Sequence, residues 1–518
     1  MTELLQEQKL KGDYEAIVIG SGNGGLAAAA KLAKEGISVL VLEQHNLPGG
    51  FATSFRRGRF EFEASLHELA DYGPSSNKGG IRKMFEDQFD LVVDFVRVPE
   101  AYRVITETVD AAMPFGMEEF LDTMEEKVPG SRDSVEDFFN LAKEIRAAFA
   151  YIASTGGNPD QKVLMKDYTN FLKTAPYSVK EVQDALDIPN EARKILNAYW
   201  CYLGLPTNRM NFTLFASMIL VYIEKGGWIP VNRSHGYTTA FDQKIREFGG
   251  HIEYNTRVDK ILVENGRAVG VETSNGEIIK AEYIICNASP TLAYNKLIHP
   301  KSEVPEMGYK EVNARIHGLS AFCVYLGLDA TVKKLGLKEY SYFIMDEMDT
   351  EEVYESWSKL EAPRGQATVV INNAISDCSP PGTTMMYITT LFQPDAWKEV
   401  KPENYFNIKR DLAEKLIIQF EEFTGAPIRD HIEEIEIATP ETYARYTGTY
   451  NGVIYGYEPE SWDSLVPRLM SMGKDQYIKG LRFAGGFGRR CHGYSSALSD
   501  GYTTALLTLQ DIKKGGNQ

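Results

Sequence analysis

The first residues whose spacing points to chemistry are the glycines of one short segment: Gly20, Gly22, Gly24 and Gly25. The segment stands between an apolar run at residues 16–19, which predicts a strand, and a run of helix formers at residues 26–34. In such a unit, glycine permits a tight turn, close approach of a phosphate to the backbone, and close packing of the helix on the strand. Unpaired N–H groups at the start of the helix attract an anion. The spacing therefore predicts a phosphate-binding turn.

An acidic residue follows this turn at the position where a dinucleotide-binding unit needs one. A second apolar run at residues 37–42 ends in Glu43, which lies 18 residues after Gly25. A carboxylate there accepts hydrogen bonds from ribose hydroxyls and disfavours a 2′-phosphate, so NADP is not expected. A plain glycine-rich turn, the alternative interpretation, leaves Glu43 unexplained. The next glycine pair, Gly49 and Gly50, lets another backbone segment approach the pyrophosphate, which favours FAD over NAD.

Another pair of glycines, Gly485 and Gly486, occurs far along the chain after a predicted strand at residues 481–484. A loop at residues 487–494 leads to a helix predicted from Ser495, whose apolar residues recur at helical spacing. The positive end of this helix would point back toward the nucleotide. Near a flavin ring it would favour the anionic reduced form.

The composition excludes several classes of partner. The chain has 518 residues, of which 43% are hydrophobic and 25% are charged, as in ordinary folded proteins. Its net charge of −17 disfavours nucleic acid as a partner. The 5 cysteines form no Cys-x-x-Cys pair and the 8 histidines show no ligand spacing. We therefore expect neither a disulfide framework nor a metal site.

The apolar segments predict where the protein resides. Residues 1–14 are polar and lack the apolar core of a signal peptide. The longest apolar stretch, residues 212–223, is shorter than the roughly 20 residues that cross a bilayer, so we interpret it as a buried helix. The sequence thus predicts a cytoplasmic protein, with peripheral membrane contact as the alternative.

These motifs together resemble the FAD-dependent phytoene desaturase, carotenoid isomerase and retinol saturase family, a branch of the amine-oxidase-like flavoproteins. A middle segment adds to the resemblance: residues 226–237 precede a helix, and residues 256–258 lead into strands joined at Asn265-Gly266 and Asn275-Gly276. Each Asn-Gly pair is by itself a strong hairpin signal. The matched motifs cover about half of the chain.

The resemblance implies an α/β fold built from a discontinuous Rossmann-type FAD-binding domain, a mixed-sheet substrate domain and an inserted helical cap. The FAD-binding domain would consist of residues 13–79, 225–300 and 470–514. Residues 80–224, which are helix-rich by pattern, would form the cap, and residues 301–469 the substrate domain.

The resemblance also assigns cofactor-binding residues. The pyrophosphate would lie against Gly20, Ser21, Gly22, Gly24 and Gly25, with Gly49 and Gly50 close by. Glu43 would bind the ribose, and the Val258 backbone would meet the adenine. The ribityl chain and flavin ring would lie against Gly485, Gly486, Ser495, Ser496 and Ala497.

A bound flavin would exchange a hydride with a carbon–carbon bond, and the protein would have to manage one proton. The candidates for this are His67, His235, Arg489, Arg490 and His492. We select His67, Arg490 and His492 as candidate catalytic residues. For His67, a hydrogen-bonded structural role is the competing interpretation.

The sequence and the resemblance are compatible with several functions. The family reaction would be desaturation, saturation or flavin-dependent isomerisation of an apolar polyene, an isoprenoid or an unsaturated fatty acid. The basic loop at residues 489–492 would pair with a substrate carboxylate. The alternatives are a non-enzymatic prenyl or lipid carrier like the GDP-dissociation inhibitors, which the intact nucleotide motif disfavours, and an amine oxidase, which Phe51 after the glycine pair disfavours. The electron partner is not identified.

Overall fold

A computed structural model describes residues 13–345 and 349–515. Its strands are, in chain order, β1 (Asp13–Ile19), β2 (Val39–Leu42), β3 (Ser54–Arg57), β4 (Phe60–Glu63), β5 (Phe95–Arg97), β6 (Tyr102–Ile105), β7 (Asp110–Met113), β8 (Trp228–Pro230), β9 (His251–Glu253), β10 (Val258–Glu264), β11 (Arg267–Thr273), β12 (Ile278–Cys286), β13 (Ile298–His299), β14 (Ser320–Leu328), β15 (Ser341–Met345), β16 (Gly365–Val370), β17 (Thr384–Phe392), β18 (Ile432–Ala438) and β19 (Leu481–Phe483).

Helices and short helical turns connect these strands. The α-helices are α1 (Asn23–Lys34), α2 (Gly80–Lys83), α3 (Met117–Lys127), α4 (Arg132–Ser154), α5 (Gln161–Asp167), α6 (Thr169–Thr174), α7 (Val179–Ala185), α8 (Asn190–Leu196), α9 (Phe212–Lys225), α10 (Arg233–Glu247), α11 (Pro290–Leu292), α12 (Glu306–Ala314), α13 (Val332–Leu335), α14 (Thr350–Ser356), α15 (Pro402–Thr424), α16 (Pro440–Thr447), α17 (Leu465–Met470) and α18 (Tyr494–Gly515).

The first sheet gathers strands from distant parts of the chain. Its order is β13-β10-β11-β12-β1-β2-β9, and β19 pairs with the end of β12. The strands β9, β2, β1, β12 and β19 run parallel, so their carboxyl ends meet at one edge. In open α/β sheets this edge is where ligands bind. The hairpins predicted at Asn265-Gly266 and Asn275-Gly276 are confirmed as the β10–β11 and β11–β12 connections.

Helix α1 packs on this sheet through small side chains. Its residues from Leu26 to Ala33 are buried, and five of these eight positions are alanine. Because alanine adds little bulk, α18 and α10 pack closely against α1 on the same face. The strand–turn–helix–strand unit predicted from the glycine spacing is confirmed, and the α18 helix predicted from Ser495 begins at Tyr494.

The second sheet is mostly antiparallel, with the order β18-β14-β17-β16-β15-β6-β7. One face packs on α15 through a core that includes Phe322 and Phe420, and the other faces the helices of residues 117–225. The fold class expected from the sequence, α/β with a Rossmann-type sheet, a second, mixed sheet and an inserted helical cap, is confirmed.

The helix-rich segment contains strands that the sequence pattern did not predict. Strands β6 and β7 extend the second sheet, with Val104 and Ala111 paired across them. Each has only 4 residues, too few for alternation to stand out from the helices around them. The domain boundaries themselves remain predictions.

Helix α9 contains the apolar stretch and is buried as expected, with Phe215 and Ile219 fully enclosed. Within the two described ranges, no helix combines the length and the apolar character that crossing a bilayer requires. The expected lack of a signal peptide rests on residues 1–14, of which residues 1–12 lie outside the described part.

We predict that Gly25→Ala destabilises the protein. A Cβ on Gly25 would lie 2.0 Å from the Gly20 carbonyl oxygen, so α1 would have to move away from β1. Overpacking of this kind costs about 1–3 kcal/mol, and thermal unfolding should occur at a clearly lower temperature. The control is Gly365→Ala in β16, where the nearest atom to the new Cβ is 3.4 Å away. Equal unfolding temperatures for the two variants would contradict the prediction.

Candidate functional site

One cavity of about 870 Å³ runs from the edge of the first sheet to the inner face of the second. Most of the residues predicted from the sequence line this cavity, although they come from five separate segments: Gly20, Gly22, Gly24, Glu43, Gly49, Gly50, His67, Val258, Gly485, Gly486, Arg490, His492, Ser495, Ser496 and Ala497. Ser21 and Gly25 do not line the cavity. Ser21 is hydrogen-bonded to Glu43, and Gly25 packs against the Gly20 carbonyl.

The glycine segments approach one another at backbone distance. Gly22 and Gly49 form an isolated bridge, and the Gly49 amide donates to the Ser21 carbonyl at 2.8 Å. A Cβ on Gly24 would lie 2.6 Å from the Gly485 Cα. Side chains at these positions would fill the space along the turn, so the glycines leave a groove lined by backbone at the start of α1.

Glu43 is held at the end of β2 by three hydrogen bonds. Its Oε2 accepts from the Ser21 amide at 2.7 Å and the Ser21 hydroxyl at 2.8 Å, and its Oε1 accepts from the His45 amide at 2.8 Å. Both Ser21 donors are therefore engaged by Glu43, and the Ser21 side chain is fully buried. Ser21 therefore orients the Glu43 carboxylate. The contact of Ser21 with the pyrophosphate stays a prediction.

Asn287 lies at the centre of the glycine groove and was not predicted as a site residue. It follows β12, and its amide donates to the Ile19 carbonyl at 2.9 Å. Its side-chain oxygen is 2.7 Å and 2.4 Å from the positions that a Cβ would take on Gly24 and Gly485. One signal could have indicated Asn287 as a site residue. It directly follows a strand that runs parallel to β1, and such folds bind ligands at the edge where parallel strands end.

The start of α18 forms one end of the cavity. The Tyr494 hydroxyl donates to the Phe51 carbonyl at 2.8 Å, and the Ser495 hydroxyl donates to the Ala70 carbonyl at 2.7 Å. These bonds hold the positive end of a 22-residue helix against the cavity wall, as expected from the sequence. Farther along α18, Asp500 accepts from the amides of Gly485 and Arg489.

Arg489, one of the wider set of candidates, is tied into the fold. Its guanidinium pairs with Asp475 at 2.7 Å and donates to the Thr504 hydroxyl, while Asp500 lies 3.6 Å away. Its side chain is 6% exposed. These contacts tie Arg489 into the loop, and it is not among the residues that line the cavity.

Tyrosines of the second sheet position the segment that carries His67. The hydroxyls of Tyr325, Tyr387 and Tyr340 donate to the carbonyls of Ala64, Leu66 and His67, respectively. All three tyrosines are buried. Because buried polar groups need partners, these bonds satisfy both the phenols and the irregular backbone between the two sheets. They hold residues 64–67 against the cavity.

His67 lies among aromatic rings at the cavity wall. Its Nδ1 is 3.1 Å from the Tyr202 hydroxyl and its Nε2 is 3.4 Å from the Thr389 hydroxyl. Burial lowers the pKa of His67 to about 4, so the ring is neutral at pH 7. A neutral imidazole can accept or pass on a proton but does not supply an extra one.

His492 and Arg490 come from the loop before α18. His492 donates through Nε2 to the Tyr202 carbonyl at 2.9 Å, and its ring stacks on Tyr455 at 4.4 Å between centroids. Burial lowers the pKa of His492 to about 4, so it is also neutral.

Arg490 lines the cavity and forms no hydrogen bond or ion pair with any residue in the described ranges. Arg146 and Asp71, which pair at 2.9 Å, line the same cavity.

Within residues 13–345 and 349–515, no three His, Cys, Asp or Glu residues come together as metal ligands would. Cys491 lines the cavity, but burial raises the pKa of its thiol, which disfavours the thiolate that covalent attachment of a cofactor would need.

The fold and the backbone groove define a dinucleotide-binding flavoprotein. A family model described as "Flavin containing amine oxidoreductase" matches residues 24–505, and the chain belongs to that family. The protein is an FAD-dependent oxidoreductase. The glycine groove, the carboxylate of Glu43 at the end of β2 and the α18 helix end fit this cofactor, and ribose binding by Glu43 stays a prediction.

Two curated relatives have polyene-related names. The chain is 26% identical over 479 residues to the all-trans-retinol 13,14-reductase of Danio rerio, covering 86% of this chain and 77% of the relative. It is 25% identical over 460 residues to the chloroplastic prolycopene isomerase of Daucus carota, covering 86% and 72%. These matches support the predicted resemblance to the phytoene desaturase, carotenoid isomerase and retinol saturase branch.

A solved structure shares the fold at much lower identity. The cyclohexylamine oxidase of Brevibacterium oxydans superposes with a TM-score of 0.59 and 14% identity, covering 97% of this chain and 100% of that one. At this identity the likeness describes the fold alone.

We predict that Glu43→Gln weakens FAD binding about tenfold. The carboxylate accepts three hydrogen bonds, and bonds to a charged acceptor are worth about 1 kcal/mol more than neutral ones. FAD affinity can be measured by titrating the cofactor-free protein. The matched control is Glu253→Gln, which alters an acid on the adjacent strand whose side chain is 39% exposed. Unchanged affinity in Glu43→Gln would contradict the role of Glu43.

Proposed function

We propose that this flavoenzyme acts on a carbon–carbon double bond of an apolar polyene or isoprenoid, by saturation, desaturation or flavin-dependent isomerisation. The observation that carries the proposal is the composition of the cavity beyond the predicted flavin position. Helix α9 contributes Leu214, Met218 and Val221 to its lining, and Met345 and Trp357 line it as well. An apolar wall of this kind suits a long unsaturated chain better than a charged amine.

The names of the two relatives support this substrate class. One is named for reducing a double bond of retinol and the other for isomerising prolycopene, and both substrates are polyenes. Bound FAD supplies or accepts a hydride in such reactions. The residues of this chain have three tasks: to hold the polyene against the cofactor, to exclude water and to manage one proton.

The predicted catalytic residues fit these tasks differently. His67 and His492 are both neutral and line the cavity. His67 can pass on a proton. His492 can hold Tyr455 and Tyr202 in place through its ring stack and its hydrogen bond. Val258, Ser496 and Ala497 line the cavity as expected of adenine and flavin contacts.

Arg490 favours a carboxylate at one end of the substrate. It is a cation at the cavity wall without an ion-pair partner among the residues described, and burying an unpaired charge is costly. A carboxylate would relieve that cost through bidentate hydrogen bonds. An unsaturated fatty acid or a carboxylated polyene is therefore the second candidate substrate.

The other functions proposed from the sequence have less support. A lipid carrier would not need the Glu43 and glycine arrangement, and an amine oxidase is not favoured by the apolar wall on α9. A cytoplasmic location remains part of the proposal, as does an electron partner outside this chain.

The first test is to release the cofactor from the purified protein and then to offer substrates. We expect the denatured protein to release free FAD. We also expect the anaerobically reduced enzyme to convert all-trans-retinol or prolycopene, and chromatography of the products measures this conversion. Oxidised enzyme given putrescine should not be reduced, because the cavity wall on α9 is apolar. Reduction by putrescine without conversion of either polyene would show an amine oxidase instead.

The carboxylate hypothesis has its own test. We expect Arg490→Met to lower the rate with linoleic acid by about tenfold or more, because a charge-assisted pair is worth about 1.5–3 kcal/mol. The rate with all-trans-retinol, which has no carboxylate, should change little. The control is Arg489→Lys, which retains a cation in the structural ion pair with Asp475. An equal loss with both substrates would contradict carboxylate recognition.

A further inference from the structure

A buried carboxyl group, Glu68, follows His67 in the chain and also borders the cavity. Its side chain is 5% exposed, and Oε1 is 3.0 Å from the Tyr202 hydroxyl. Oε2 has no hydrogen-bond partner within the part of the chain that the structure describes. The neighbouring phenol of Tyr199 donates its proton to the Ala101 carbonyl at 2.7 Å. An ionised carboxylate with so few partners is strongly disfavoured.

Glu68 and His67 have different protonation states at neutral pH. Burial raises the pKa of Glu68 to about 8, and the charge of Glu100 acts in the same direction. Burial lowers the pKa of His67 to about 4. At pH 7, Glu68 therefore has a proton to give, whereas His67 carries no extra proton. The other titratable groups that face Glu68 are all acids: Tyr199, Cys201, Tyr202, Tyr222 and Tyr340.

The Tyr202 hydroxyl joins these two groups. It lies 3.0 Å from Glu68 Oε1 and 3.1 Å from His67 Nδ1. A carboxylic acid donates to the hydroxyl, which can then donate to Nδ1, leaving the proton of the neutral ring on Nε2. Nε2 makes only a 3.4 Å contact, to the Thr389 hydroxyl. Glu68, Tyr202, His67 and Thr389 all line the cavity.

We propose that Glu68, Tyr202 and His67 form a proton relay, in which Glu68 is the source of the proton that His67 delivers to the substrate double bond. The proposal rests on the function proposed above. The Nε2–H bond of His67 breaks as a C–H bond forms at one alkene carbon. Nδ1 takes the Tyr202 proton, and Tyr202 takes the Glu68 proton, so the net loss is one proton from Glu68.

The fate of the second alkene carbon and of the transferred proton depends on which reaction takes place. In a saturation, the other alkene carbon accepts a hydride from reduced FAD, so the alkene is reduced and the flavin is oxidised. In an isomerisation, the proton returns along the same path to Glu68 and there is no net redox change. In this relay, His67 is the catalytic residue that touches the substrate, whereas Glu68 acts through Tyr202.

The first experiment measures the protonation of Glu68 without turnover. Infrared spectra of the FAD-loaded protein, recorded across pH, should show a carboxylic acid that ionises near pH 8 and is absent in Glu68→Gln. When Glu68 is ionised, the Tyr202 hydroxyl donates to the carboxylate and lowers its pKa, so in Tyr202→Phe the midpoint should move to higher pH.

Glu63 provides the matched control because it is a buried carboxyl close to Glu68 with its own partners. It accepts from the Ser234 amide at 2.7 Å and the Leu66 amide at 3.3 Å, and it does not line the cavity. Burial raises its pKa to about 7. Glu63→Gln should remove only that lower titration and leave the signal near pH 8 unchanged.

The second experiment follows the rate of all-trans-retinol conversion by the reduced enzyme. Because the folded-state pKa of Glu68 is raised, the relay is loaded below about pH 8 and empties as pH rises through that value. The wild-type rate should fall above pH 8. Glu68→Gln and Tyr202→Phe should each lower the rate about 100-fold or more and remove this dependence. Glu63→Gln should keep the wild-type pH profile.

The outcomes separate this relay from the proposed function. If Glu68→Gln keeps the wild-type rate and pH profile, or if Glu68 is already ionised at pH 7, the relay is wrong even when the polyene is converted. If the wild type converts no polyene, the proposed function fails and the infrared titration decides the relay. A midpoint near pH 8 that moves in Tyr202→Phe supports the hydrogen-bonded chain, and its absence overturns it.

Discussion

The structure depends on a place where backbone meets backbone without side chains in between. The turn after β1, the segment around Gly49 and the segment around Gly485 come within contact distance of one another. Of the side chains nearby, that of Asn287 fits into the space that the missing Cβ atoms leave. Close packing of this kind tolerates no added atom, so the parallel strands, the small residues of α1 and the position of α18 all have to agree with it.

A second constraint holds the opposite wall of the cavity. Residues 64–67 have no strand partner, and buried carbonyl groups without partners would be costly. Three phenols from the second sheet, on Tyr325, Tyr340 and Tyr387, supply the missing donors. The same bonds tie the two sheets together, so the irregular segment between them is as well determined as a strand. This explains how a loop can place an imidazole accurately at a reaction site.

The features predicted from the sequence were those whose cause is local. The glycine turn, Glu43 and the Asn265 hairpin each depend on residues close together in the chain, and the structure contains all three. Asn287 was not predicted, because its position depends on the parallel pairing of β12 with β1. Glu68 and Tyr202 are 134 residues apart, so no spacing rule connects them. The low pKa of His67 likewise results from burial, which a sequence pattern does not show.

The strand order of the first sheet has a consequence for how the protein is made. Strand β19 and the start of α18 complete the groove, yet they come after residue 480, whereas the turn they close against begins at residue 20. A ribosome therefore releases the phosphate-binding turn long before the chain that closes over it. Cofactor capture must therefore wait until β19 and the start of α18 have been translated. Until then the small-residue face of α1 lacks its α18 partner, and the unfinished protein exposes that apolar surface to chaperones.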